Sequence, residues 1–138
     1  MSSTLPATSP LTLPITHTAI RCNAWGTPDT LALETLPLPA LKAGELLIEV
    51  KAAALNFPDV LIIQKKYQFV PELPFTPGSE LAGVVLAVGE GTRFAVGQRV
   101  MAYCGMGGFA SHAVVNAAVV LPLPDAVSFE TAAAFTLT

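Results

Sequence analysis

The sequence has few charged residues. Asp, Glu, Lys and Arg make up only 12% of the 138 residues, against roughly 25% in average soluble domains. Hydrophobic residues make up 52%, so the chain can bury a core and an unusually large share of its surface must be apolar or covered. A domain that packs against a further domain fits this composition, and so does a compact fold rich in Ala and Val. We favour the first interpretation.

Basic clusters are also missing. The longest run of basic residues is Lys65-Lys66, and the net charge is -3. Proteins that bind nucleic acid carry a basic patch or stripe that neutralises phosphates. We therefore expect no nucleic-acid partner.

Cysteine and histidine are scarce. Cys22 and Cys104 are too few and too far apart for a disulfide framework or a zinc cluster, and we expect both to be small core residues. His17 lies near the N-terminus, and His112 lies in an apolar run where we expect it to be an outward strand residue. Few thiols and no disulfide pattern are typical of a reducing compartment, so we expect a cytoplasmic protein.

Long apolar runs are absent as well. No run reaches the roughly 18 residues that span a bilayer. Residues 1–17 lack the basic start and continuous apolar stretch of a signal peptide. We expect no membrane partner, and we expect residues 1–17 to form a flexible N-terminal extension.

Short apolar runs separated by Gly and Pro turns predict a mainly β domain with short helices over residues 18–127. Pro58 favours a short helical turn over Val60 to Ile63, because proline is tolerated in the first turn of a helix. Ser128 is a candidate N-cap for a final helix, which we expect to occupy residues 128–138. The predicted strands are Thr18 to Ala24, Thr30 to Leu36, Glu45 to Ala53, Leu81 to Val88, Gln98 to Tyr103 and Phe109 to Val115.

Two glycine clusters could suggest a nucleotide site. Gly89-Glu90-Gly91 is followed by a strand pattern, whereas a phosphate loop needs a helix N-terminus directly after its glycines. The cluster that starts at Gly105 also lacks a following helix and a Lys-Ser/Thr pair. Both clusters are interpreted as turns.

Several motifs together resemble the N-terminal half of the medium-chain dehydrogenase/reductase superfamily, in its zinc-independent NADPH:quinone oxidoreductase (zeta-crystallin-like) branch. The resemblance covers roughly Ile20 to the end of the chain. Zinc enzymes of the superfamily carry Cys where this chain has Asn56 and His where it has Ser79, so the resemblance implies an enzyme without zinc. The motifs are Ala54-Leu55-Asn56-Phe57-Pro58-Asp59, Pro74-Phe75-Thr76-Pro77-Gly78-Ser79-Glu80-Leu81-Ala82-Gly83, Val88-Gly89-Glu90-Gly91, Val96-Gly97-Gln98-Arg99-Val100 and Gly107-Gly108-Phe109-Ala110.

The resemblance implies a GroES-like, partly open β-barrel that forms the substrate-side domain of a two-domain α/β reductase. Such an enzyme transfers hydride from NADPH to a quinone or a conjugated carbonyl. The implied Rossmann domain, which would bind most of the NADP, is not in this sequence, so we expect the chain alone to be inactive. The resemblance also implies a homodimer at full length.

Three residues are candidates for the implied site. The resemblance places Asn56 near the nicotinamide, as a catalytic and cofactor-binding residue, and Tyr67 at the mouth of the substrate site as a second catalytic residue. Asp59 is a candidate for an indirect link to the cofactor. Each has a structural alternative: Asn56 could hold the turn before the helix, Tyr67 could be a surface residue, and Asp59 could stabilise the first helical turn. The role of Glu80 stays open.

Two other functions remain as alternatives. A reductase of 2-enoyl thioesters belongs to the same superfamily and shares these motifs. A non-catalytic GroES-like binding or co-chaperonin module would share the fold without the chemistry.

Overall fold

Strands account for most of the regular structure in residues 13–136, the part of the chain that our computed structural model describes. Short turns of 3-10 helix lie at Pro28–Thr30 and Ala117–Val119. The strands are β1 (Thr16–Arg21), β2 (Ala32–Pro37), β3 (Glu45–Ala54), β4 (Glu80–Val88), β5 (Arg99–Tyr103), β6 (His112–Asn116) and β7 (Val120–Pro122), and the helices are α1 (Phe57–Ile62) and α2 (Phe129–Ala133).

The strands form two antiparallel sheets. β1 and β2 make a two-stranded sheet, and the other five are ordered β6-β3-β4-β5-β7. Isolated bridges connect the region of β1 to the segments that lead into the larger sheet: Ala19 pairs with Ala110, before β6, and Cys22, after β1, pairs with Phe75, before β4. Within residues 13–136, the edge strands β6 and β7 do not pair with each other. The predicted mainly β, partly open barrel is therefore confirmed.

The main core lies inside the five-stranded sheet, because inward side chains of β3, β4 and β5 meet there. A second cluster packs the end of α1 against Cys22, which follows β1, and Phe75, which precedes β4, and a third packs α2 against β4. Glu49 and Lys51 form an ion pair on the outer face of β3, as the alternation of that strand predicts. The fully buried members of the main core are Leu46, Ile48, Leu81, Val85, Val100 and Ala102.

Some element boundaries differ from the sequence prediction. β1 begins at Thr16, inside the predicted extension. β6 begins only at His112, and the predicted segment from Phe109 to Ser111 bonds mainly to β1: Ile20 donates to Phe109 and Ser111 donates to Thr18. The three-residue edge strand β7 was not predicted, and it ends at Pro122, which is acceptable at an edge.

Other local predictions are confirmed. The glycines from Gly89 to Gly91 lie in a turn that follows β4, and no helix follows them before β5. The Ser128 hydroxyl accepts the Thr131 N–H at 3.1 Å and caps α2. In residues 13–136, neither helix is long or apolar enough to cross a membrane; the expected absence of a membrane partner stays a prediction. The expected extension at residues 1–12 and the last two residues lie outside the described part.

Candidate functional site

Asn56 is the residue at which β3 gives way to α1. Its backbone is extended, and its N–H donates to Oδ2 of Asp59 at 2.8 Å. The Asp59 N–H in turn donates to the Asn56 carbonyl at 3.0 Å. Pro58 occupies the first helical turn, where a missing N–H costs nothing. These bonds fix the start of a short helix and give Asn56 and Asp59 the structural roles named as alternatives above.

Glu80, the first residue of β4, is fully buried and ties two distant segments together. Its Oε2 accepts a hydrogen bond from Nδ2 of Asn56 at 2.7 Å. Its Oε1 accepts one from the hydroxyl of Thr136 at 2.7 Å. Glu80 therefore holds the Asn56 side chain against β4 and links it to the segment that follows α2.

Burial raises the pKa values of two side chains near Glu80, those of Asp59 and Cys104. Desolvation raises the pKa of Asp59, against the backbone hydrogen bond from Asn56, and the nearby negative charge of Glu80 adds to the increase. Desolvation also raises the pKa of the Cys104 thiol to about 11. Cys104 is hence a thiol at neutral pH. It is half-buried and packs against the main core.

A metal at this position would need different residues. Asn56 and Ser79, which by the resemblance stand where the zinc enzymes carry ligands, are not normal zinc ligands. Ser79 is buried, and its hydroxyl makes no hydrogen bond within the described part of the chain. Within residues 13–136, no three His, Cys, Asp or Glu side chains come together in a way that could hold a metal ion. The expected absence of zinc stays a prediction.

Tyr67 takes no part in the hydrogen bonds around Glu80 that the described residues make. It is half-buried and packs on the cluster formed by Cys22, Ile62, Ile63 and Phe75. No hydrogen bond within residues 13–136 joins it to Asn56. The catalytic role of Tyr67 stays a prediction, as does that of Asn56.

Exposed apolar side chains flank Asn56 on both sides. Leu55 and Phe57 are each 73% exposed, although both are large and hydrophobic. A cavity of about 230 Å³ opens beside Leu55, lined also by residues of α1 and by Phe109; neither Phe57 nor Asn56 lines it. An apolar surface around one amide group is typical of sites for flat, weakly polar ligands.

Asp59 is a poor position for a direct ligand contact, since only 3% of its surface is exposed. Its link to a cofactor would have to act through Asn56, and it stays a prediction.

Sequence reasoning missed two features of the site. The role of Thr136 had no local signal, because 56 residues separate it from Glu80. The exposed pair Leu55 and Phe57 could have been noticed as apolar residues at a helix start.

Comparison with known proteins gives a consistent result. The sequence profile of the alcohol dehydrogenase GroES-like domain matches residues 42–125. The chain is 40% identical over 121 residues to the synaptic vesicle membrane protein VAT-1 homolog of Mus musculus, covering 83% of this chain and 30% of that protein. It is 35% identical over 119 residues to the quinone oxidoreductase of Rattus norvegicus, covering 84% of this chain and 36% of that protein.

A solved structure gives the same answer for the fold. The Escherichia coli quinone oxidoreductase, solved in complex with NADPH, superposes with a TM-score of 0.80 at 36% identity. The alignment covers 87% of this chain and 37% of the other. The chain thus spans about a third of the length of the curated relatives it matches.

Proposed function

The chain belongs to the alcohol dehydrogenase GroES-like domain family, in the quinone oxidoreductase branch of the medium-chain dehydrogenase/reductase superfamily. We therefore propose that it forms the substrate-side wall of an NADPH-dependent reductase. The full-length protein would transfer hydride to a quinone or a conjugated carbonyl. The observation that carries this proposal is the Asn56 amide, anchored by a buried carboxylate and flanked by exposed apolar side chains.

The amide of Asn56 suits the developing charge in such a reaction. Its nitrogen carries two hydrogens, and one of them is donated to Glu80. The second can be donated to an acceptor oxygen or to a nicotinamide carboxamide. A donor that is already held in place stabilises an oxyanion without the cost of reorientation.

The surrounding apolar side chains would serve binding. Leu55 and Phe57 can pack on the face of a flat ring and exclude water from the amide. Tyr67, by its resemblance, would lie at the mouth of the same site and offer a hydroxyl donor.

NADP would supply the hydride when bound, and this chain's own residues would meet only its nicotinamide end. Residues 13–136 contain no glycine turn that leads into a helix of the kind that binds a pyrophosphate. We propose that a further domain of the full-length protein makes most cofactor contacts, that the protein is a cytoplasmic homodimer, and that this chain alone binds no NADPH.

A side-by-side assay tests the reaction. NADPH oxidation by the full-length protein is followed by absorbance with a soluble quinone, with an enone and with a 2-enoyl thioester. We expect turnover with the quinone or the enone. Turnover of the thioester alone would identify a 2-enoyl thioester reductase instead, and no turnover with any acceptor would contradict the proposal.

A further inference from the structure

A groove lies where the two sheets meet, away from the hydrogen-bonded group around Glu80. It is a cavity of about 350 Å³ between β1, β2 and β6. None of Asn56, Asp59 or Tyr67 lines it. The side chains that matter for its chemistry are those of His17, Arg21, Leu36, Thr76 and His112.

Arg21 brings a permanent positive charge to the groove. It is half-buried, and its Nη1 donates to the hydroxyl of Thr76 at 3.4 Å. Among residues 13–136, no carboxylate lies within ion-pair distance of its guanidinium. Glu34 occupies the same face of the β1–β2 sheet, but its Oε2 is bonded to Nδ2 of Asn23 at 2.7 Å. A partly desolvated guanidinium of this kind favours an anion.

His17 and His112 add further capacity to bind an anion. Nδ1 of His17 lies 3.3 Å from the Leu36 carbonyl oxygen, which can only accept, so Nδ1 carries a hydrogen. Burial lowers the pKa of His17 against the opposing effect of the Leu36 hydrogen bond, and the nearby His112 and Arg21 lower it further. An anion in the groove would oppose that effect and let Nε2 take up a proton.

The ring of His112 is oriented by Ser111. The Ser111 hydroxyl accepts the Thr18 N–H at 3.0 Å and can donate its own hydrogen to Nδ1 of His112, also at 3.0 Å. The ring hydrogen of neutral His112 then lies on Nε2, which is a donor. Glu49 faces His112 across the β3–β6 pair, but it is in an ion pair with Lys51.

The rest of the groove is apolar. Pro37 and Val114 line it, and a second cavity of about 250 Å³ adjoins it. The two cavities share Val114, and Ile15 and Leu47 extend the second one. A ligand could thus place a charged group beside Arg21 and an alkyl chain along the second cavity.

We propose that this groove binds the carboxylate of a small organic acid with an alkyl chain. The guanidinium fork matches a carboxylate, and a single permanent positive charge matches a single negative charge better than a phosphate dianion. The adjoining apolar cavity accommodates the alkyl chain. This site is independent of the proposed reductase activity.

Calorimetric titration of the full-length protein tests the proposal, with octanoate as the probe. Octanol, octylammonium and octyl phosphate carry the same chain with a different head group. We expect saturable binding of octanoate and binding of the other three at least about tenfold weaker. Arg21→Gln should weaken octanoate binding at least about tenfold, because a charge-assisted hydrogen bond is lost. Arg93→Gln, at an exposed arginine outside the groove, is the matched control and should leave binding unchanged.

Unfolding curves of both variants verify that they are folded, and Arg21→Lys gives a milder change if Arg21→Gln does not fold. Arg21→Lys should bind octanoate more weakly than the parent, because the fork is lost while the charge stays. Equal binding of octanol would reduce the groove to an apolar cavity and contradict the proposal. Tighter binding of octyl phosphate would contradict the choice of a carboxylate. No saturable binding of octanoate, or equal binding by the parent and the arginine variants, would overturn the site.

Discussion

Replacing Gly83 with Ala should strongly destabilise the protein. Gly83 lies in β4 opposite Val50 of β3, next to a register shift in that strand pair. A Cβ at this position would lie 2.0 Å from the backbone carbonyl oxygen of Glu49 and 2.9 Å from Cγ2 of Ile48. The first contact is with backbone, so no side-chain rotation can relieve it.

The size of the effect follows from that contact. Cβ atoms almost never approach another heavy atom within 3.0 Å, so the two strands must separate by about 1 Å near Gly83. Overpacking of this kind costs about 1–3 kcal/mol, and each ladder hydrogen bond that lengthens costs about 1 kcal/mol more. Alanine regains about 0.5–1 kcal/mol of backbone entropy. We expect the free energy of unfolding to fall by about 2–4 kcal/mol.

Urea unfolding at equilibrium measures the loss, with Gly26→Ala as the matched control. A Cβ on Gly26 would lie 2.9 Å from side-chain atoms of Thr30, which is exposed and can rotate. The control should therefore lose less than about 1 kcal/mol. If both variants lose the same free energy, the close approach of β3 and β4 at Gly83 is refuted.

Three further predictions concern the buried groups around the site. Glu80→Ala removes the carboxylate that accepts hydrogen bonds from Asn56 and Thr136. It should lower the free energy of unfolding in urea by about 2–4 kcal/mol. A loss below about 1 kcal/mol would show that these two hydrogen bonds contribute little. Burial raises the pKa of Asp59 above its ordinary value of 3.8. Between pH 3.8 and the raised pKa, the native state therefore holds a proton that the unfolded state has released. The free energy of unfolding falls as the pH rises through this range. Asp59→Asn should remove that part of the fall in urea unfolding free energy across the acidic range, and an unchanged pH profile would contradict the shift. Desolvation raises the pKa of Cys104 to about 11, so iodoacetamide at neutral pH should label it, by mass spectrometry, far more slowly in the native protein than after unfolding. Labelling of the native protein at the rate of a free thiol would argue against the raised pKa.

Most of the fold could be predicted from the sequence, because its signals are local. The alternation in β3, the proline at the start of α1 and the Ser128 cap each depend on a few neighbouring residues. The fully buried position of Cys22 also follows from its residue type in an apolar run.

The remaining features depend on contacts between distant segments. His17 belongs to β1 and not to the predicted extension, whereas His112 lies on the outward face of β6 as predicted. Both line one groove because β1 bonds to the segment before β6. The bond between Thr136 and Glu80 joins residues with no shared pattern. Such contacts come from the three-dimensional arrangement of the sheets, which local periodicity does not encode.

The most direct test of the proposed function is the kcat/KM for NADPH-dependent quinone reduction by the full-length protein carrying Asn56→Ala. We expect kcat/KM to fall at least about tenfold, because an anchored donor to the acceptor or nicotinamide is lost. Asn23→Ala, at an exposed asparagine bonded to Glu34, is the control and should leave kcat/KM unchanged. A kcat/KM for Asn56→Ala equal to that of the parent would contradict the account.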